Sequence, residues 1–407
     1  MSNTQKKNVP ELRFPGFEGE WEEKKLGNLT TKIGSGKTPK GGSENYTNKG
    51  IPFLRSQNIR NGKLNLNDLV YISKDIDDEM KNSRTYYGDV LLNITGASIG
   101  RTAINSIVET HANLNQHVCI IRLKKEYYYN FFGQYLLSRK GKRKIFLAQS
   151  GGSREGLNFK EIANLKIFTP TIFEEQQKIG KFFSKLDRQI ELEEQKLELL
   201  QQQKKGYMQK IFTQELRFKD ENGEDYPDWE NSKIEKYLKE RNERSDKGQM
   251  LSVTINSGII KFSELDRKDN SSKDKSNYKV VRKNDIAYNS MRMWQGASGK
   301  SNYNGIVSPA YTVLYPTQNT SSLFIGYKFK THRMIHKFKI NSQGLTSDTW
   351  NLKYKQLKNI NIDIPVLEEQ EKIGDFFKKM DILISKQKKK IEILEKEKQS
   401  FLQKMFL

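Results

Sequence analysis

From residue 174 the apolar positions recur with a heptad period. Ile179, Leu186, Leu200 and Tyr207 form one series, broken only by Glu193, and Phe183, Ile190, Leu197 and Ile211 form a second, broken by Lys204. Two interleaved series of this kind are the a and d positions of a coiled-coil helix. The chain then repeats the segment. EEQQKIGKFF, opening at Glu174, returns without a gap as EEQEKIGDFF at Glu368. The second copy carries Ile373, Met380, Leu394 and Phe401 beside Phe377, Ile384, Ile391 and Met405, with polar breaks at Gln387 and Lys398. Self-similarity of this kind governs architecture. It predicts one long helix, used twice.

Each helix would extend roughly 55–60 Å at 1.5 Å per residue and cannot hide its own stripe. Two copies in one chain can hide each other's. In an antiparallel register that brings Leu197 to Leu394, Glu193 falls opposite Lys398 and Lys204 opposite Gln387, so the polar breaks would set the register. The alternative is that each heptad binds a helix of a partner.

Elsewhere the pattern is of short β-type runs, at 51–54, 90–94, 117–123 and 165–168, separated by Gly/Asn/Ser-rich loops. A helix is expected over 127–137 and the basic stretch RKGKRK that follows. The second half echoes the order of the first. ELRF recurs at Glu11 and Glu215, Asp89-x-x-x-Asn93 as Asp285-x-x-x-Asn289, and Gly96-Ala97-Ser98 as Gly296-Ala297-Ser298. On that last match the second half carries four extra residues before its Gly-Ala-Ser, among them Arg292 and Trp294. The expected fold class is α+β: two tandem α+β globular domains separated by two long helices that pair as an antiparallel coiled coil. The expected boundaries are 1–170, 171–212, 213–364 and 365–407. A duplicated frame with two diverged domains suits the reading of two DNA half-sites, for which one helical turn is ~34–36 Å.

Charge sharpens this picture. The 407 residues carry a formal net charge of +22, and the sequence pI is near 9.6. Such a chain seeks a polyanion, and nucleic acid suits it best. Aromatic residues, at 11%, are too frequent for a disordered chain. The single cysteine, Cys119, allows no internal disulfide. There is neither an apolar signal core nor a run of 18 apolar residues, so a cytoplasmic protein with no membrane partner is expected.

Catalytic motifs fail one by one. Gly34-Ser35-Gly36-Lys37-Thr38 imitates the end of a P-loop, but Thr31 stands where the first glycine belongs. His332-x-x-x-His336 lacks the glutamate of HExxH and a third ligand. Pro227-Asp228 with Asp266-x-Lys268 fits a nuclease pattern only loosely, and no methyltransferase signature is present. No catalytic residue and no metal site is assigned.

The paired EEQxKIGxFF blocks, LRFPGFEGEW near the N-terminus and GDVLLNITGASIGR in the first half resemble the specificity subunits of type I restriction–modification systems, over nearly the full chain. The resemblance implies a non-catalytic reader of bipartite double-stranded DNA. Its helices would dock modification subunits, two in number, that methylate adenine with S-adenosylmethionine, and the complex would recruit ATP-driven, Mg-dependent restriction subunits. None of those cofactors belongs to this chain itself.

Base readout favours Arg or Lys on guanine and Asn or Gln on adenine, while phosphates take Lys, Arg and loop hydroxyls. The DNA candidates in the first domain are Lys37, Thr38, Arg55, Gln57, Asn58, Ser98, Arg101 and Arg154. In the second they are Arg292, Trp294, Gln295, Ser298, Lys300, Gln343 and Thr346, with Trp294 equally eligible for the core. The 140–144 run reads as a solvated helix end, with phosphate contact as the alternative. Phe182 and Phe376, one of each Phe-Phe pair, lie off the seam and are candidates for docking a partner, or for packing against the chain's own domains. Two rival functions remain at this stage: a stand-alone nuclease or methyltransferase with its own specificity domains, and an RNA-binding coiled-coil scaffold.

Overall fold

In the computed structural model, residues 8–149, 156–266 and 274–407 are described. The duplicated segments are single helices, Phe173–Phe212 and Leu367–Lys404. The chain divides into two compact units, one of residues 1–194 with 389–407 and the other of residues 195–388. Each unit therefore takes a segment of both long helices, and in each the two segments run antiparallel. In the first unit Phe182 meets Phe401, Asp187 meets Lys398, and Glu193 meets Lys390. In the second, Lys204 meets Asp381 and Tyr207 meets Phe376.

These contacts overturn the register expected from the polar breaks. Lys398 is salt-bridged to Asp187, Glu193 to Lys390, and Lys204 to Asp381, so the pairing lies about one heptad from the expected one. The physical reason is charge. A seam lysine finds a full counter-ion in the aspartate beside the partner helix's seam, which a glutamine layer cannot supply. The pairs repeat: Lys398–Asp187 is the counterpart of Lys204–Asp381.

The globular part of each unit is built on the same antiparallel four-stranded sheet. Its order is Thr30–Ser35, Val118–Leu123, Val90–Asn93, Thr102–Ile104 in the first unit. The second repeats it with Leu238–Glu240, Tyr311–Pro316, Ile286–Asn289 and Ser298–Lys300. A two-stranded ribbon ties the ends of each domain together, Glu22–Lys25 with Lys166–Thr169 and Glu230–Lys233 with Asn361–Ile364. The units diverge outside this frame. The first adds a mixed four-stranded sheet in which Ile51–Leu54 runs parallel to Ala112–Leu114. Among the described residues the second has two separate two-stranded pairs there, the hairpin of Leu251–Thr254 with Gly258–Lys261 and the pairing of Lys279–Val281 with Gly305–Val307.

The EEQxKIGxFF block joins helix to domain, and almost every position has a partner. Glu175 is fully buried and takes two hydrogen bonds at 2.7 Å from Arg13 of ELRF, plus one from Trp21 Nε1 at 3.3 Å. Glu369 is equally buried and takes the same set from Arg217 and Trp229. Gln176 accepts from the Tyr128 backbone N–H and donates to Pro170 O, and Gln370 does the same with Ser321 and Pro365. At Gly180 a Cβ would stand 2.6 Å from the Tyr128 ring, so only glycine lets the domain approach this closely. Phe183 stacks on Phe406 at 5.7 Å, and Phe377 on Phe212 at 5.8 Å.

The stretch after residue 127 forms two helices rather than one, Tyr129–Leu137 and Arg139–Leu147. Ser138 breaks them in extended conformation and caps the second by accepting from Gly141 N. Its lysines are not merely solvated. Lys140 donates to Phe406 O at 2.7 Å and Lys144 to Lys166 O.

In the second core Lys328 has no carboxylate in contact among the described residues. Lys328 is 2% exposed, with its ammonium over Trp229 at 4.7 Å and over Phe212 at 5.3 Å. Burial pushes it down to about 8. The unfolded chain binds that proton up to the ordinary lysine value, so the cost is fully present below pH 8 and fades as pH rises towards 10.5. Lys328→Met should therefore raise unfolding stability by on the order of 2 kcal/mol at pH 7. Denaturant titrations at pH 7 and pH 10 should show the gain shrinking. By contrast, Arg13→Met strands the buried Glu175 and should cost about 3–5 kcal/mol, with much of the loss recovered in the Arg13→Met, Glu175→Gln double variant.

Candidate nucleic-acid interface

One end of the four-stranded sheet in each unit carries the loops in which the candidates cluster. In the first unit Asn93 closes its strand, fully buried, and its Nδ2 donates to Ser56 O at 2.9 Å and Ser98 Oγ at 3.1 Å. Beside it Thr95 Oγ1 and His117 Nδ1 are hydrogen-bonded at 2.6 Å. Asn115 N–H donates to Leu54 O, and Lys37 N–H to Leu114 O. The loops at 36–38, 55–58, 94–101 and 115–117 are thereby bound into one rim.

On this rim Lys37 and Gln57 are exposed, while Thr38, Ser98 and Arg101 are half-exposed. The Arg101 guanidinium has no carboxylate partner among the described residues. Arg55 is held, donating to Asp68 O at 3.0 Å with its guanidinium 5.5 Å from the Tyr46 ring centre. Asn58 must be withdrawn as a DNA contact. It is fully buried, accepts from Arg55 N–H at 2.8 Å and donates to Asn65 O at 2.9 Å, so it builds the loop instead of reaching beyond it. Arg154, like Lys268, lies outside the described residues; Leu157 N–H donates to Ile94 O.

In the second unit the corresponding turn leaves Asn289 and returns at Ala297, whose carbonyl accepts from Asn289 N–H at 2.9 Å. Arg292 is exposed and makes no ion pair or side-chain hydrogen bond with the described residues. Trp294 is half-exposed, not core. It donates from Nε1 to Met291 O at 3.1 Å and meets Trp350 edge-to-face at 5.2 Å. That ring contact brings Arg292, Trp294 and Gln295 to the 343–351 loop. Gln343 and Asn351 pin this loop with reciprocal backbone bonds of 3.0 and 2.8 Å. Within it Gln343 and Thr346 are exposed, and Leu345 at its tip is completely so. Lys339 stands 5.6 Å from the centre of the Trp350 ring.

Two candidates fail here. Ser298 is 1% exposed, inside the strand that pairs it with Tyr288. Lys300 sits at the far end of that hairpin, opposite Ile286, and its ammonium is engaged by Asn302 at 2.9 Å and Asn284 at 3.2 Å. The sequence offered no warning at either position, because strand direction decides both.

Sequence reasoning missed Thr95 and His117 in the first unit and Met291, Trp350 and Lys330 in the second. Lys330 donates to Ile255 O at 2.7 Å and to Gly296 O, fastening the turn from behind, and burial pushes it down to about 8. The lone histidine immediately before the 118–123 run, at the same strand end as the Asn93 turn, was the available signal.

The other proposed sites resolve differently. Phe182 and Phe376 are only half-exposed. Phe182 is covered by Phe14 at 5.7 Å and Phe401 at 5.1 Å, and Phe376 by Phe218 at 5.6 Å and Tyr207 at 5.2 Å. The off-seam aromatic is thus taken by ELRF, and Phe182→Ser would loosen the unit itself. The loop after Lys37 continues extended into a short 3-10 turn at Gly42–Asn45 instead of the helix that a P-loop requires. The Cys119 thiol is fully buried and pushed up to about 12 by that burial, so it is chemically quiet.

Loops with exposed cationic and amide side chains, carried at one end of a rigid sheet and repeated in two diverged copies, define a sequence-reading binding protein. The model of the type I restriction modification DNA specificity domain matches residues 18–202 and again 226–396, and the chain belongs to that family. It is a non-catalytic DNA-recognition subunit of a type I restriction–modification system. It is 26% identical over 399 residues to the type I restriction enzyme MjaX specificity subunit of Methanocaldococcus jannaschii, covering 94% of this chain and 92% of the relative. The EcoBI specificity subunit of Escherichia coli is 33% identical over 133 residues, 32% of this chain and 27% of the relative. Among solved structures, the type I restriction–modification S subunit from M. genitalium superposes with a TM-score of 0.60 at 14% identity, covering 98% of this chain and 99% of that one. A chain from a study of complex assembly and conformational transition in a type I system gives 0.52 at 16% identity, covering 95% and 97%. The family works in complexes with methyltransferase and restriction subunits. No described helix of this chain is long and apolar enough to cross a membrane.

The burial of Asn58 makes a clear expectation. Asn58→Ala should lower the thermal stability of the first unit by about 1–2 kcal/mol through lost loop hydrogen bonds. The recognised DNA motif should stay the same, as motif mapping on the surviving protein would show.

Proposed function

We propose that each unit reads one half of a split duplex DNA sequence, the first through the rim of Lys37, Thr38, Arg55, Gln57, Ser98 and Arg101, the second through Arg292, Trp294, Gln295, Gln343 and Thr346. The observation that carries this reading is the shared sheet with differing loops at the same end. Among the described residues no carboxylate pairs with Lys37, Arg101 or Arg292, and the chain's charge of +22 favours the phosphate backbone that positions them. Domains of 1–170 and 213–364 joined by helices of 171–212 and 365–407 remain our division of the sequence, although the compact units cut across it.

In this reading the complex holds two modification subunits, one for each half of the duplicated frame, with restriction subunits added in the cytoplasm. S-adenosylmethionine belongs to the modification subunits, and ATP and magnesium to the restriction subunits. The specificity chain supplies positioning alone: phosphate contacts fix register, and base edges are then tested by side chains already held on the sheet.

Adenine methylation mapped at base resolution on a random duplex library tests the proposal. The chain with its modification subunit should methylate a split motif with a fixed gap, and neither component should do so alone. Methylation of a continuous motif, or by this chain unaided, would overturn it.

A further inference from the structure

The backbone corrects the match drawn between the two Gly-Ala-Ser triplets, and the correction identifies a specificity element. In the first unit the turn begins at Asn93, whose N–H donates to Arg101 O at 2.9 Å. In the second, Asn289 N–H donates to Ala297 O at the same distance. Beyond these bonds Leu92 pairs with Thr102 and Tyr288 with Ser298. The two turns are thus equal in length, and there is no four-residue insertion. Gly96 is not the equivalent of Gly296. Gly100 is, and both have φ of +83°. A side chain at Gly100 would meet Ile145 at 3.4 Å, and one at Gly296 would meet Ile335 at 3.3 Å, each on the basic helix behind its turn.

Aligned this way, TGASIGR at 95–101 stands where MRMWQGA stands at 291–297. The ends and the anchoring glycine are held, and the residues between them share no chemistry. The first turn offers small hydroxyls and an arginine at its close. The second offers an arginine early, then a tryptophan braced by Trp350.

We propose that this turn is the principal interchangeable specificity element of each unit, resting on the reading of the chain as a two-half-site DNA reader. In the second unit it recognises a guanine through Arg292, and beside it a thymine methyl through the apolar face of Trp294 and Met291. Arg292 is exposed and uncommitted, as an arginine that forks onto guanine O6 and N7 must be. Met291 is 42% exposed, and the Trp294 indole N–H is already spent on Met291 O, which leaves an apolar surface for the methyl.

The test uses the full chain with its modification subunit and maps methylated motifs for wild type, Arg292→Ala, Trp294→Ala and a chimera carrying TGASIGR in place of 291–297. Arg292→Ala should relax one guanine position of one half-site, by roughly ten- to hundred-fold in discrimination, and leave the other half-site intact. The chimera should change the same half-site only. Replacing thymine by uracil in that half-site should weaken wild-type binding and leave Trp294→Ala indifferent. If Arg292→Ala leaves every position as selective as wild type, the proposal is wrong, whatever the chimera does. A silent chimera is therefore judged by that exposed single substitution. Failure of the underlying reading would look different: wild type itself would show no split motif.

Discussion

The carboxylate of Glu175, and its copy at Glu369, constrains the rest of the structure. A fully buried carboxylate is costly unless charge and hydrogen bonds replace the water it loses. Here the replacement comes from far away in sequence. Arg13 and Trp21 reach Glu175, and Arg217 and Trp229 reach Glu369. The segment that begins each domain is thereby tied to the long helix that ends it, with the ribbon Glu22–Lys25/Lys166–Thr169 or Glu230–Lys233/Asn361–Ile364 closing beside it. The clasp rewards only one arrangement, which is the best-attested use of a buried ion pair.

Once the clasp is set, the block after it has little freedom. Gln176 and Gln370 cap the domain backbone, Gly180 admits the Tyr128 ring, and the paired phenylalanines fill both the seam and the gap above it. Conservation of chemistry between the two copies is explained by packing within each unit. A surface that binds other subunits has to be sought on the outward positions of these helices, such as Leu192, Leu199 and Leu383, each about half-exposed.

The long helices, the duplication and the main strands were legible because they rest on period and on repeated strings. Register was not. Heptad arithmetic matched Glu193 to Lys398, but it could not see that Asp187, beside the seam, takes Lys398 while Glu193 pairs with Lys390. The break at Ser138 was hidden for a related reason: RKGKRK continues a helical pattern, and only the cap on Gly141 shows where a new helix starts. The interface was half legible. Residue type picked out cations and amides that the fold leaves exposed, such as Lys37, Arg292 and Gln343. It could not tell an asparagine that reads from one that builds, and Asn58 builds. The Gly-Ala-Ser alignment failed because three small residues recur by chance, whereas the strand ladder on either side of a turn admits one solution.

That ladder also shows how the two units can share a frame and differ in what they face. Strand pairing fixes the ends of each turn, a glycine of positive φ lets the chain return, and an isoleucine from the basic helix supports that glycine from behind. None of these contacts involves the side chains at 95–99 or 291–295 that point away from the sheet. In the second unit Lys330 adds a clasp on Gly296 O, and Trp350 braces Trp294, so the turn with the bulkier side chains is also firmly held. Rigidity in the backbone and freedom in the outward side chains are what a reading loop requires. Preorganised groups lose little entropy on contact, and a change of residue alters the contact without disturbing the fold. The divergence beyond the sheet follows the same logic. The first unit's mixed sheet, where the buried Asp77 is held by Arg84 and His111, and the second unit's two-stranded pairs lie outside the clasp and the four-stranded ladder, so the two copies need not agree there.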